Sequence, residues 1–126
     1  MSDTSTYLGN ALLNWIQNSG TTLATKPTSV FASLWNGDPD SGGSEVTQTI
    51  SLTRQAITWS AVSARAMNNS ADLTFGTASS SGTVTFVAIF DSATVGNQIC
   101  KKAITSTAIA NGNVVKILAT NLVLSY

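Results

Sequence analysis

The sequence predicts an all-β domain, a jelly-roll-like β-sandwich preceded by one amphipathic α-helix, on three observations. Beyond Gly20, short β-branched runs alternate with Ser, Thr, Gly and Asn punctuation. Turn signals recur at roughly eight to twelve residues, the spacing of a sandwich. Helical spacing occurs only near the start of the chain, so the crossover helices that a parallel sheet needs are missing. A length of 126 residues suits one domain, with the helix over residues 3–20 and the sandwich over 28–126.

Each element has its own warrant. Tyr7, Leu8, Ala11, Leu12, Trp15 and Ile16 recur at helical spacing, which places them on one stripe. Asp3, Thr4 and Ser5 offer caps at the start of this helix, and Gly20 offers an end. The stripe is expected to cover one end of a sheet, or the same surface on a neighbouring copy. Residues 29–36 carry apolar side chains on both faces and predict a strand inside the sheet. The polar, glycine-rich run 36–44 predicts a loop. Residues 52–62 alternate, with Gln55, Ile57, Trp59 and Ala61 against Arg54, Ala56, Thr58 and Ser60, and predict one continuous strand. Further strands are predicted over 71–76, 82–90, 98–105 and 113–126, the last bent near 119–121. Gly96-Asn97 marks a turn and Asn111-Gly112 a hairpin. Trp35 and Trp59 are read as core.

Charge narrows the function classes. Six basic residues balance six acidic ones, and charged residues are only 10% of the chain, while Ser and Thr number 35 and Asn ten. The surface is therefore expected to be polar but uncharged. A nucleic-acid partner needs a concentrated positive face, which is absent. No apolar run approaches a membrane span, and the start lacks a basic leader, so the chain is expected to be made in a cytoplasm and to have no membrane partner. Zero net charge suits a protein whose working state is an assembly. Cys100 stands alone and is expected to behave as a small buried hydrophobe.

Catalytic chemistry finds little to work with. The chain has no histidine, which removes the commonest general base and metal ligand. Its carboxylates, Asp3, Asp38, Asp40, Glu45, Asp72 and Asp91, show no spacing that singles out a pair. The run Asp38-Pro39-Asp40-Ser41-Gly42, with Glu45 nearby, is oxygen-rich but lacks calcium-loop spacing and reads as a surface turn. No glycine-rich phosphate loop precedes a helix. The expectation is a protein that is not an enzyme, with no catalytic residue, cofactor or metal. Arg54 is expected either to make a planar anchor with a carboxylate or carbonyls, at an intersubunit contact, or to guard a sheet edge as a solvated charge; Arg65 is expected to be such an edge charge.

Three stretches read in order carry a resemblance: Phe31-Ala32-Ser33-Leu34-Trp35-Asn36-Gly37-Asp38-Pro39 followed by Gly42-Gly43-Ser44-Glu45-Val46; Thr53-Arg54-Gln55-Ala56-Ile57-Thr58-Trp59; and residues 82–97, with Gly82-Thr83-Val84-Thr85, Ile89-Phe90-Asp91 and Gly96-Asn97. In these the chain resembles, over nearly its full length, a family of small phage virion proteins labelled as tail-fibre or minor structural components, a likeness that extends to β-sandwich proteins that cement capsids. It departs at Leu52 and Ser81, where the family often carries an aromatic residue and a tryptophan. The resemblance implies a virion structural protein made in the host cytoplasm. The first expectation is a capsid cement protein on the capsid surface, a homo-oligomer, with a trimer favoured, contacting the major capsid protein. The alternative is a tail or tail-fibre component, a compact adaptor or receptor-binding tip contacting tail proteins. The expected protein contacts are Tyr7, Trp15, Arg54, Asp38, Asp40 and Glu45.

Overall fold

The computed structural model describes residues 3–17 and 29–125. In chain order the elements are β1 (Asp3–Thr4), α1 (Thr6–Gln17), β2 (Phe31–Asn36), β3 (Ser44–Glu45), β4 (Gln55–Ala56), β5 (Ala66–Asn68), β6 (Leu73–Thr77), β7 (Gly82–Phe90), β8 (Gln98–Ile109), β9 (Val114–Ile117) and β10 (Val123–Ser125). The architecture is mainly β with one short N-terminal helix, as the turn-punctuated sequence predicts. A 6-stranded antiparallel sheet runs β1-β8-β7-β2, with β3 and β4 both pairing along the far edge of β2. Two 2-stranded ribbons, β5 with β10 and β6 with β9, complete the fold. The second layer is thus two ribbons and their loops rather than one full sheet.

Period-two alternation explains how the layers meet. Ala32 and Leu34 of β2, Val87 and Ile89 of β7 and Cys100 of β8 are buried in the same cluster as Leu73 and Phe75 of β6 and Leu122. β7 is the most enclosed strand, with residues 87–90 all buried. β2 lies between β7 and the short β3 and β4, inside the sheet as expected. Burial pushes the Cys100 thiol up to about 11, so it is a packed apolar group and a poor nucleophile.

Several boundaries differ from the sequence reading, each for a local reason. Asp3–Thr4 pairs with β8 instead of entering the helix, and Ser5 caps α1 by accepting the Leu8 N–H at 3.1 Å. The Gly20 end falls outside the described residues. Residues 52–62 do not form one strand. Leu52, Arg54 and Ile57 are all buried, and Leu52 and Ile57, which strict alternation would put on opposite faces, both join the core cluster. Pairing is confined to β4, and the Ile57 N–H then bonds the Val30 carbonyl at 2.9 Å. β8 runs on to Ile109, with an irregularity opposite Thr85 that disrupts its free edge. Asn111-Gly112 does turn the chain, but β9 leaves β8 to pair with β6. The 113–126 segment breaks into β9 and β10 at Thr120, whose φ is 71°.

The break is held by Asn69, which is fully buried. Its Nδ2 donates to the carbonyls of Ala71 and Leu118 at 3.0 and 2.9 Å, and its Oδ1 accepts the Leu122 N–H at 2.9 Å. One amide thereby satisfies the backbone of three separate positions. A second feature of the same ribbon is its tip. Ser63 and Ala66 exchange two backbone hydrogen bonds of 2.9 Å around Ala64 and Arg65, whose φ values are 50° and 64°. This mirror-type turn ordinarily takes Asn-Gly. Holding residues with side chains left-handed costs about 1–2 kcal/mol each.

Asn69→Ala strands buried carbonyls and an amide without water to replace the lost partners. It is expected to lower the unfolding free energy by about 3 kcal/mol, measured by urea denaturation with an unchanged slope.

Candidate functional site

The stretches that carry the family resemblance converge on the face of the main sheet opposite the core, around Arg54. The residue directly precedes β4 and is 8% exposed. Its Nε and Nη2 donate to the two carboxylate oxygens of Glu45 at 2.7 and 2.9 Å, a planar fork-on-fork pair. Nη1 donates to the carbonyls of Ser92 and Val95 at 3.0 and 2.9 Å. The guanidinium carbon lies 4.0 Å above the centre of the Phe90 ring, which supplies a negative π face. Trp35 stacks on the other member of this layer, its ring 6.1 Å from Phe90 at 11°. The Trp35 indole N–H donates to Ser33 Oγ at 2.8 Å, and that hydroxyl donates to the Ala88 carbonyl at 3.0 Å.

Two loops are shaped to reach this anchor. In the 91–97 loop, Asp91 accepts the Asn97 backbone N–H at 2.7 Å and its side-chain amide at 3.1 Å. The clamp leaves the carbonyls of Ser92 and Val95 facing Arg54. Gly96 has φ +91°, and a Cβ there would lie 2.5 Å from Asp91 Oδ1, so only glycine fits. The 37–43 loop closes on itself, the Asp38 carbonyl accepting the N–H groups of Ser41 and Gly43 at 3.0 and 2.8 Å. A Cβ on Gly43 would lie 2.5 Å from the Gly37 carbonyl oxygen. The turn therefore needs glycine before it can deliver Glu45 into β3.

Lys101 of β8 supplies a second ionic knot. Its Nζ lies 2.6 Å from Asp38 Oδ1 and 3.0 Å from Asp40 Oδ2. The Asp38 carboxyl is held below its usual range, chiefly by the hydrogen bond from Lys101 and next by the Asp40 backbone N–H. The Lys101 ammonium is held above its usual range by the Asp38 carboxylate first and that of Asp40 second. The oxygen-rich loop thus meets a cation from the protein itself.

The predicted contact residues therefore separate. Arg54 and Glu45 meet each other, and Asp38 and Asp40 meet Lys101. Of the two alternatives for Arg54 the structure has the planar anchor rather than the solvated edge charge, and its four hydrogen bonds are made within its own chain. Tyr7 is exposed on α1, and the Trp15 side chain lies outside the described residues. Trp59 packs on the core as predicted, and Trp35 packs on Phe90. The helix stripe is narrower than its spacing implied, since Ile16 is 71% exposed, and Leu13, off the stripe, is exposed as well. A second apolar patch, which sequence reading missed, lies on the β5–β10 ribbon, where Val62, Met67 and Leu124 line one groove with Arg65. Exposed aliphatic residues leave no sequence signal when both faces of a segment carry them. Lys101 was visible only as half of a lysine pair, and carbonyls such as those of Ser92 and Val95 have no side-chain identity to read.

A family model described as Podophage GP4 fiber I protein gp80 matches residues 3–125. No curated protein matches the chain.

Lysine at position 54 retains the charge but cannot form the fork or reach both loop carbonyls. Arg54→Lys is expected to cost about 2–4 kcal/mol, read by chemical denaturation. Its amide-exchange protection should fall first in the 91–97 loop. The Asp38–Lys101 bridge has a definite pH signature. The Asp38 part is present above the ordinary carboxyl pKa and fades as pH falls through the lowered folded value. The Lys101 part is present below the ordinary lysine pKa and is lost as pH rises through the raised one. In Lys101→Ala, carboxyl-detected NMR should show Asp38 titrating at higher pH than in the parent.

Proposed function

The chain belongs to the podophage GP4 fiber I protein gp80 family and is a phage virion structural protein; from that premise we propose that it is a compact tail-fibre component, an adaptor joining neighbouring tail or fibre proteins. The observation that carries the tail reading is the match along residues 3–125, which takes in the whole described fold. It supports the fibre alternative better than the capsid-cement expectation. The adaptor form rests on geometry. The polar loops at 37–43 and 91–97, the natural place for receptor contacts on a β scaffold, are drawn inward by Lys101 and Arg54. Outward apolar residues occur on several elements, with Val95, Ile104, Val114 and Leu118 exposed singly, and they gather on α1 and beside the β5–β10 ribbon. A protein that bridges two neighbours needs two such patches.

The role is structural, without a catalytic step. The chain lacks histidine, and the carboxylates of Asp38, Asp40, Glu45, Asp72 and Asp91 each already hold a partner within the chain.

Quantitative mass spectrometry of purified virions tests the assignment. A tail-fibre adaptor is expected at on the order of tens of copies per particle, set by the symmetry of the tail. Hundreds of copies, in proportion to the major capsid protein, would return the chain to the capsid surface.

A further inference from the structure

We propose that the hairpin tip at Ala64 and Arg65, with the groove beside it, is a docking site for a segment of another virion protein that presents a carboxylate next to aliphatic side chains. The inference deepens the adaptor reading and rests on it.

Three observations meet at this place. The first is strain: Ala64 and Arg65 hold a turn that Asn-Gly would form freely. Strain of this kind persists where the side chain has a use, and the inference runs from the outlier to the function. The second is the guanidinium of Arg65. It is exposed and has no hydrogen bond or ion pair among the described residues. Arg54, the other arginine, is fully engaged in the interior. The third is the groove. It is lined by Val62, Arg65, Ala66, Met67, Leu124 and Ser125, and Val62 is 71% exposed. A charged fork at the rim of an aliphatic trough matches an acidic residue flanked by apolar ones.

Charge complementarity selects the occupant. Each carboxylate among the described side chains already holds a partner within its own chain, so a second copy would meet Arg65 only by sharing or breaking such a contact. Asp38 and Asp40 hold Lys101, Glu45 holds Arg54, Asp91 holds Asn97, and Asp72 accepts the Ala119 N–H at 2.7 Å. Helix α1 carries no charged residue at all. Internal engagement of these carboxylates favours a different protein as the partner. A glycan is disfavoured by the lining, which has no aromatic platform and only Ser125 and Arg65 to bond hydroxyl groups.

The test adds purified full-length protein back to phage particles assembled without it and counts the copies retained. Parent protein is expected to bind. The double substitution Ala64→Asn with Arg65→Gly relieves the turn, so its melting temperature should rise by several degrees while particle binding falls roughly ten-fold or more. Arg65→Glu should lose binding to a similar degree, and Arg65→Lys should lose less. Parent-like binding by the double variant and by Arg65→Glu overturns the docking site and leaves the adaptor reading intact. Unchanged particle binding with lost adsorption to host cells also overturns it, assigning the tip to a cell-surface anion. Failure of the parent itself to bind removes the adaptor reading, and this inference with it.

Discussion

A buried guanidinium is the constraint around which much of the remaining structure is arranged. Removing the Arg54 charge from water costs several kcal/mol, and the fold recovers this only if every polar direction around the fork is met. Glu45 meets one edge, the Ser92 and Val95 carbonyls another, and Phe90 the flat face. Each of those partners lies in a different part of the chain. The β2–β3 turn must close tightly to present Glu45, and the β7–β8 loop must be clamped by Asp91 to present its carbonyls. A single charge thus sets the conformation of two loops that share no sequence neighbourhood.

The unusual composition acquires a physical meaning in this frame. Charged residues are few, and several of them are paired with one another within the chain, in the Arg54–Glu45 pair and the Lys101 knot. Hydroxyls and amides do the rest of the interior bonding. Thr47 Oγ1 accepts the Leu34 N–H at 2.7 Å, and Ser33 and Asn69 play corresponding parts elsewhere. No buried side-chain nitrogen or oxygen among the described residues lacks a partner, which is what a polar interior requires to be stable. The outer surface is left with little charge to repel a neighbour, a state suited to permanent assembly.

Rigid loops and exposed aliphatic residues then divide the labour. Features that look most like a recognition surface in sequence, the Asp38 to Glu45 run and the two-carboxylate turn, serve internal closure. Exposed aliphatic residues lie in less conspicuous places, among them the outer side of α1 and the groove beside the β5–β10 ribbon. A virion structural protein must keep its fold outside a cell, and internal ionic closure serves that need.

The sequence by itself determined the fold class, the interior position of β2 and the extent of β7. Those follow from alternation and turn chemistry, which are local. It also offered a multiply bonded planar anchor as one of two states for Arg54, the other being a solvated charge at a sheet edge. What it could not decide was the direction of that anchor, since the carbonyls of Ser92 and Val95 are backbone atoms about forty residues away. Nor could alternation reveal that Leu52 and Ile57 both join the core, or that β9 abandons its hairpin partner for β6. Those outcomes are set by which surfaces close over the core and which buried polar groups must be satisfied. Long-range packing alone decides both, because local propensity carries no information about a partner that is distant in the chain.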